Sequence, residues 1–185
     1  MKNLIVLLLL ACISAFAAAP RGWFLAGSQP KSYETGVDNT TLHLGNPSAF
    51  LKSTATEPIK GFGTLMQSIS AENYRAKRIR LTASVKSTDV KDWSGVWMRV
   101  DKGSSAVAFD NMQNRPIKGT TDWKEYTVVL DVPNDATGIS FGILLSDTGA
   151  VWLSGIRLEA VDSQVVITSI TTTPKEPRNL NFLEP

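Results

Sequence analysis

The chain is short of the residues that most enzymes need. It holds one cysteine, Cys12, and one histidine, His43, in 185 residues. Cys12 falls inside an N-terminal apolar run that reads as a removable segment, so the folded domain has neither a disulfide nor a thiolate metal site. His43, in "TLHLG", reads as strand packing or a surface residue rather than a catalytic base. There is no G-x-S-x-G elbow, no H-E-x-x-H pair and no phosphate-cradling glycine loop. Nor do the carboxylates fall in a pattern that marks the facing pair of a glycoside hydrolase. The expectation is a protein that is not an enzyme. Net charge is nearly absent too: 19 Lys and Arg against 17 Asp and Glu leave +2. The densest basic run is "RAKRIR" at 75–80, too short an electrostatic footprint for nucleic acid.

Long apolar runs are confined to the start. In "MKNLIVLLLLACISAFAAAP", Lys2 supplies the positive end, Leu4 to Leu10 begin the apolar stretch, and Ala15-Phe16-Ala17 fits a small-x-small cleavage site. Residues 1–17 therefore read as a signal peptide, with export to a periplasmic or extracellular destination expected. The run is too short to span a bilayer. "LLAC" at 9–12 opens a second reading, a lipoprotein signal in which Cys12 carries a lipid anchor.

What is present is period-two alternation. Ile79, Leu81, Ala83 and Val85 alternate with Arg80, Thr82, Ser84 and Lys86. Val96, Met98 and Val100 alternate with Trp97 and Arg99. Tyr126 to Val132, Ile139 to Leu145, Val151 to Leu153, Ile156 to Leu158 and "GFGTLMQSIS" at 61–70 behave alike. Between them stand the turn sequences "DKGSS", "PNDATG" and "SDTG". Only "SAENYRAK", 70–77, offers a helical turn, with Ser70 as its cap. Short strands without long amphipathic helices predict an all-β sandwich over 18–167. Residues 168–185, rich in Thr and Pro, read as a C-terminal tail or linker.

Two segments, "YRAKRIRLTASVK" and "TTDWKEYTVVLDVPNDATGISFGILLSDTGAVWLSGIRLE", resemble the galactose-binding-like jelly rolls used as carbohydrate-binding modules. In that family a Trp-led strand, a "V-P-x-x-A" turn and a last strand entered through "G-x-V-W" follow one another in this order. With "GWFLAGSQPKSYETG" and "FDNMQNRPIKGTTDW" included, the chain is also similar to a bacterial domain often labelled as part of a transcriptional regulator. The sequence has no helix-turn-helix pattern, and an exported chain has no access to DNA. The resemblance implies a jelly-roll fold and a non-catalytic binding role. Many sugar-binding relatives carry paired acidic residues where this chain has Ser154-Gly155, and it begins "RGWFLAGS" instead of an Asn-Phe-Glu-like strand. Both departures weaken transfer of the family's structural calcium, for which Glu159 is the residual ligand candidate. No cofactor is expected.

Candidate ligand contacts follow from pleating. If Val96, Met98 and Val100 face the core, Trp97 and Arg99 face away from it, an indole for a pyranose face beside a fork of donors. Gln67 is placed beside them on a neighbouring strand. The stretch "DNMQNR" supplies Asp110, Asn111, Gln113 and Arg115, whose donors and acceptors suit a polyol. The competing reading is that Arg115 pairs with Asp110 and the loop satisfies itself. Trp23 and Tyr33 are candidates for one rim of the same groove. Trp93, in the polar run "DVKDWSG", reads as exposed; Trp123 reads as packing, and Trp152 as cover for the other sheet.

Carbohydrate binding by stacking plus loop contacts is the leading expectation. A protein-interaction or structural envelope module, with an envelope protein as partner, remains open. So does a small-effector sensory domain of the kind associated with transcriptional regulators. A glycan or small polar molecule is the expected partner, with no nucleic acid and no transmembrane segment.

Overall fold

The computed structural model describes residues 18–168. The signal-peptide reading of 1–17 and all but the first residue of the Thr/Pro-rich tail lie outside the described residues. The strands are β1 (Phe24–Gly27), β2 (Tyr33–His43), β3 (Asn46–Ser53), β4 (Phe62–Ser70), β5 (Lys77–Lys102), β6 (Ser105–Asp110), β7 (Ile117–Val132), β8 (Gly138–Ser146) and β9 (Ala150–Val161). Every pairing among them is antiparallel. The expected all-β jelly roll is what the chain forms.

The architecture turns on β5, which belongs to two sheets. Its first half lies between β7 and β9, as in Arg80↔Val129 and Arg80↔Glu159. Its second half lies between β8 and β6, as in Arg99↔Ser140 and Arg99↔Phe109. One sheet therefore runs β1-β4-β8-β5-β6 and the other β7-β5-β9-β3-β2. The inward residues of both meet as one core: Ile79, Leu81 and Val85 from the first half of β5, Val96 and Met98 from the second, with Leu130, Ile143 and Leu153. That set is the alternation read from the sequence, because pleating sends every second side chain to the same face.

Sequence alternation marks separate strands at 79–86 and 96–100, with a polar interval between. The structure instead carries the strand straight through. Register shifts fall at Val85/Ser87, Ser87/Val90 and Val90/Ser94, and Asp89 takes a φ of 54°. A strand that leaves one sheet for another has to bend, and bulges supply that bend while interrupting the hydrophobic period. The β2–β3 hairpin likewise forms where alternation marks no strand. "SAENYRAK" does make a single turn of 3-10 helix, Glu72–Tyr74, but its cap position is Ala71 and not Ser70, whose Oγ accepts from the Glu72 amide at 3.2 Å.

The outer edge of β7 is closed by its own chain. Thr168 donates its amide to Val129 O at 2.9 Å, and Arg115 Nη2 donates to Thr127 O at 3.2 Å. Covered this way, the edge offers no ladder for another strand at those positions.

Candidate ligand groove

In the second half of β5 the pleat works as read: Val96, Met98 and Val100 enter the core, and Trp97 and Arg99 stand on the opposite face. That face is a groove of about 530 Å³ across β1, β4, β8, β5 and the end of β6. Its size falls in the range of small-molecule sites.

Trp97 forms the floor. Its indole reaches over β8 at the level of Gly142, its register partner, and donates Nε1–H to Thr64 Oγ1 on β4 at 2.8 Å. A Cβ on Gly142 would collide with Leu65 O, so the glycine lets β8 and β4 approach closely beneath the groove. Thr64 in turn donates to Ile143 O at 2.9 Å, so its only proton is spent within the protein. The indole is only 7% exposed. It faces the groove and is neither wedged between the sheets nor the broad open platform that parity alone implies. The open aromatic faces are Phe62 and Phe109, 38% and 37% exposed. Phe109 stands 6.5 Å from the Trp97 ring at 56°. Trp93, read as exposed, is half-buried and lines the groove with Met66 and Leu144.

Polar groups sit among these walls sparingly. Arg99 lines the groove and bonds Asp101 Oδ2 through Nε and Nη2 at 3.2 and 3.0 Å. Ser146 Oγ donates to Asp92 Oδ2 at 2.7 Å. Asn111 lines the groove and accepts the Gln113 amide at its Oδ1, 3.2 Å away, which leaves its NH2 for a ligand.

The loop that carries Asn111 is held from inside. Asp110 is wholly buried and accepts Arg115 Nη1 at 3.1 Å, Arg115 Nη2 at 2.7 Å and the Met112 amide at 2.8 Å. The self-satisfied reading of this pair is the one the geometry follows: both residues brace the loop. Met112 is buried at a φ of 62°, and the loop presses onto β5 where Gly95 leaves space. A Cβ on Gly95 would stand 2.5 Å from Asn111 O. Gln113 is exposed and is not among the groove's lining residues.

Two further residues lie elsewhere. Gln67 has the parity opposite to Thr64 and Met66, so it leaves the groove face and donates to Gly22 O at 3.1 Å. Tyr33 is buried against Gly63, with its hydroxyl donating to Asp147 O at 2.9 Å, and burial pushes its phenol up to about 12. Trp23 meets Phe141 edge-on at the core margin, 5.8 Å away. The groove's Phe62, Met66, Leu144 and Ser146 escaped the sequence reading. For Phe62 and Met66 the signal was the alternation of "GFGTLMQSIS", which points to a face only once the register with β8 is known.

The other sheet's outer surface is a set of internal latches. The His43 ring lies 4.8 Å from that of Trp123, tilted by 43°, and Trp123 Nε1 donates to Leu42 O at 3.1 Å. Trp152 Nε1 donates to Asp38 Oδ2 at 2.8 Å, as its cover role anticipated. The Thr40 hydroxyl and neighbouring amides hold Asp38 far below the usual carboxylate range. Glu159 is engaged by Arg80 at 2.7 Å, and among the described residues no three His, Cys, Asp or Glu side chains converge.

The fold has counterparts among solved structures. The xylan-binding CBM22-1 domain of Paenibacillus barcinonensis Xyn10C superimposes with a TM-score of 0.53 at 12% identity, over 80% of this chain and 91% of that one. The chain has the jelly-roll fold of the carbohydrate-binding modules. The same jelly roll also matches a cyclase from Fischerella sp. TAU, solved with 4-(1H-indol-3-yl)butan-2-one, at TM-score 0.53 and 16% identity over 78% and 87% of the two chains. By sequence, the jelly roll is similar to a Bacillus subtilis protein named as the uncharacterized HTH-type transcriptional regulator YbfP. The two are 44% identical over 168 residues, 89% of this chain and 57% of that protein. The chain thus spans little more than half of that relative's length. No protein-family model matches the sequence.

Proposed function

We propose that this jelly roll is a non-catalytic module that binds its ligand in the groove above Trp97, with carbohydrate as the ligand class. The observation that carries the proposal is the meeting of Phe62, Phe109, Trp93 and Trp97 with Asn111 and Arg99 in one groove. The C–H face of a sugar ring stacks on aromatic walls while its hydroxyls need donors and acceptors at the rim. Phe62 and Phe109 act as the stacking surfaces, Trp97 sets the floor, and Asn111 and Arg99 supply the polar contacts. The xylan-binding role in the Paenibacillus domain's name agrees with this reading. Export, read from residues 1–17, would put the module where glycans are met.

A second reading, an apolar small effector, is favoured by one specific feature. The hydroxyl protons of Thr64 and Ser146 are already given to the protein, and the remaining lining is mostly hydrocarbon. The regulator named at 44% identity and the indole compound held by the Fischerella cyclase fit that alternative.

Glycan arrays followed by calorimetry on wild type and Phe109→Ala test the first reading. Binding that the substitution abolishes supports it. Silent arrays combined with a thermal shift from an aromatic metabolite would replace it with the second. Silence in both, with recovery of an envelope protein in pull-downs, would turn the groove into a protein-docking surface.

A further inference from the structure

The 111–116 loop also borders a second hollow, of about 500 Å³, which shares no lining residue with the groove. Its walls are Met112, Arg115 and Pro116 on the loop and Lys124 to Thr127 on β7. Tyr126 offers a ring, with Lys124 Nζ 5.7 Å from its centroid. Pro116 extends that apolar surface, and the buried Met112 backs it from beneath.

Arg115 is paired with the buried Asp110, which leaves Lys124 as the uncompensated charge at the hollow. Glu125 is occupied by Arg157 Nη2 at 2.9 Å, and Asp122 nearby by Lys86 Nζ at 3.0 Å. Arg115 spends Nη1 and Nη2 on Asp110, Asn114 and Thr127 but makes no hydrogen bond through Nε. Lys124 meets no carboxylate and donates no hydrogen bond among the described residues. The ammonium of Lys124 and the Nε–H of Arg115 thus flank an apolar surface, with Asp110 already neutralising Arg115 and Glu125 held by Arg157.

We propose that this hollow is a second binding site, separate from the groove, for a small organic carboxylate. The carboxylate lies between Lys124 and the Nε–H of Arg115, and the apolar body rests on Tyr126 and Pro116. A charge-assisted contact at the mouth and an apolar floor together select an anion with a hydrocarbon part over a bare inorganic anion.

The test is an NMR titration of the full chain with sodium benzoate, with inorganic phosphate as the comparison probe. The amides of Lys124 to Thr127 report the hollow, and the Trp97 indole N–H reports the groove. Benzoate is expected to shift the first set saturably and leave the second in place, with phosphate binding more weakly. Lys124→Gln should weaken benzoate roughly fivefold, and Lys124→Arg should restore it. Shifts confined to the Trp97 indole, no saturable shift, equal response to phosphate, or a Lys124→Gln protein that binds as wild type would each overturn the site.

Discussion

Trp97 and Thr64 are joined by a 2.8 Å hydrogen bond although a whole strand, β8, lies between them. The bond turns a side chain that pleating merely aims outward into a fixed floor. An indole lying along the sheet buries most of its area against the strands beneath and leaves its remaining face to the groove. Removing the ring and removing the bond should therefore have very different consequences.

Trp97→Ala empties the floor and is expected to cost about 3–5 kcal/mol, the usual range for a large buried aromatic. Thr64→Val keeps the shape while withdrawing the acceptor from the indole N–H and the donor to Ile143 O. It should cost about 1–3 kcal/mol, since the indole N–H is left unpaired in a buried place and Ile143 O loses one of its donors. Urea denaturation midpoints give both values, and the order of the two variants is the test.

The Asp110–Arg115 pair predicts a larger effect than a surface ion pair. Arg115→Met strands a wholly buried carboxylate and should destabilise by roughly 2–4 kcal/mol, below the full buried-pair figure because Arg115 remains partly open to water. Asp110→Asn with Arg115→Met should cost clearly less than the sum of the single changes, because the second removes the charge that the first strands. A double-mutant cycle in urea measures the coupling.

Gly95→Ala places a Cβ 2.5 Å from Asn111 O and 3.1 Å from Met112 Cβ. The loop backbone has to retreat, so about 1–3 kcal/mol of stability is lost to overpacking. The displaced Asn111 should also weaken whatever the groove holds. Chemical-shift changes at Asn111 and Met112, with little change at Leu130, would show the effect to be local.

Tyr33 gives a pH dependence whose sign is fixed by burial. Its phenol is raised to about 12 in the folded chain, while an unfolded tyrosine ionises near 10. Above the unfolded value the unfolded chain has given up a proton that the folded chain still holds, so stability falls as pH climbs from about 10 towards 12. Below about 10 this group contributes no slope. In Tyr33→Phe the alkaline loss should be smaller, and the protein less stable at neutral pH because Asp147 O loses its donor. Thermal melts across alkaline pH follow both effects.

How far the chain could be read without coordinates is clearest along β5. Ile79 to Val85 and Val96 to Val100 announce themselves because their inward faces meet one continuous core. The span between them does not, since its bulges break the two-residue period while the strand goes on. Trp93 suffered for that reason: its polar neighbours mark exposure, yet the bend returns it to the groove. Gln67 shows the opposite problem. Its strand was legible, but a face is assigned only by register, and register is set by pairing with β8. Asp110 and Arg115, five residues apart, showed that they could meet, while nothing local showed that Asp110 would be sealed from water.

Local chemistry, then, determined what this chain could be. Alternating side chains and turn residues specify strands through short-range sterics and the burial of every second position, so an all-β sandwich with Trp97 and Arg99 outside its core follows from the residue order. Tertiary structure decided the rest: which strands lie side by side, that the indole of Trp97 lies down as a floor, and that Phe62 and Phe109 become the open walls. Those outcomes depend on contacts between residues far apart in the chain, and no local pattern encodes such a contact.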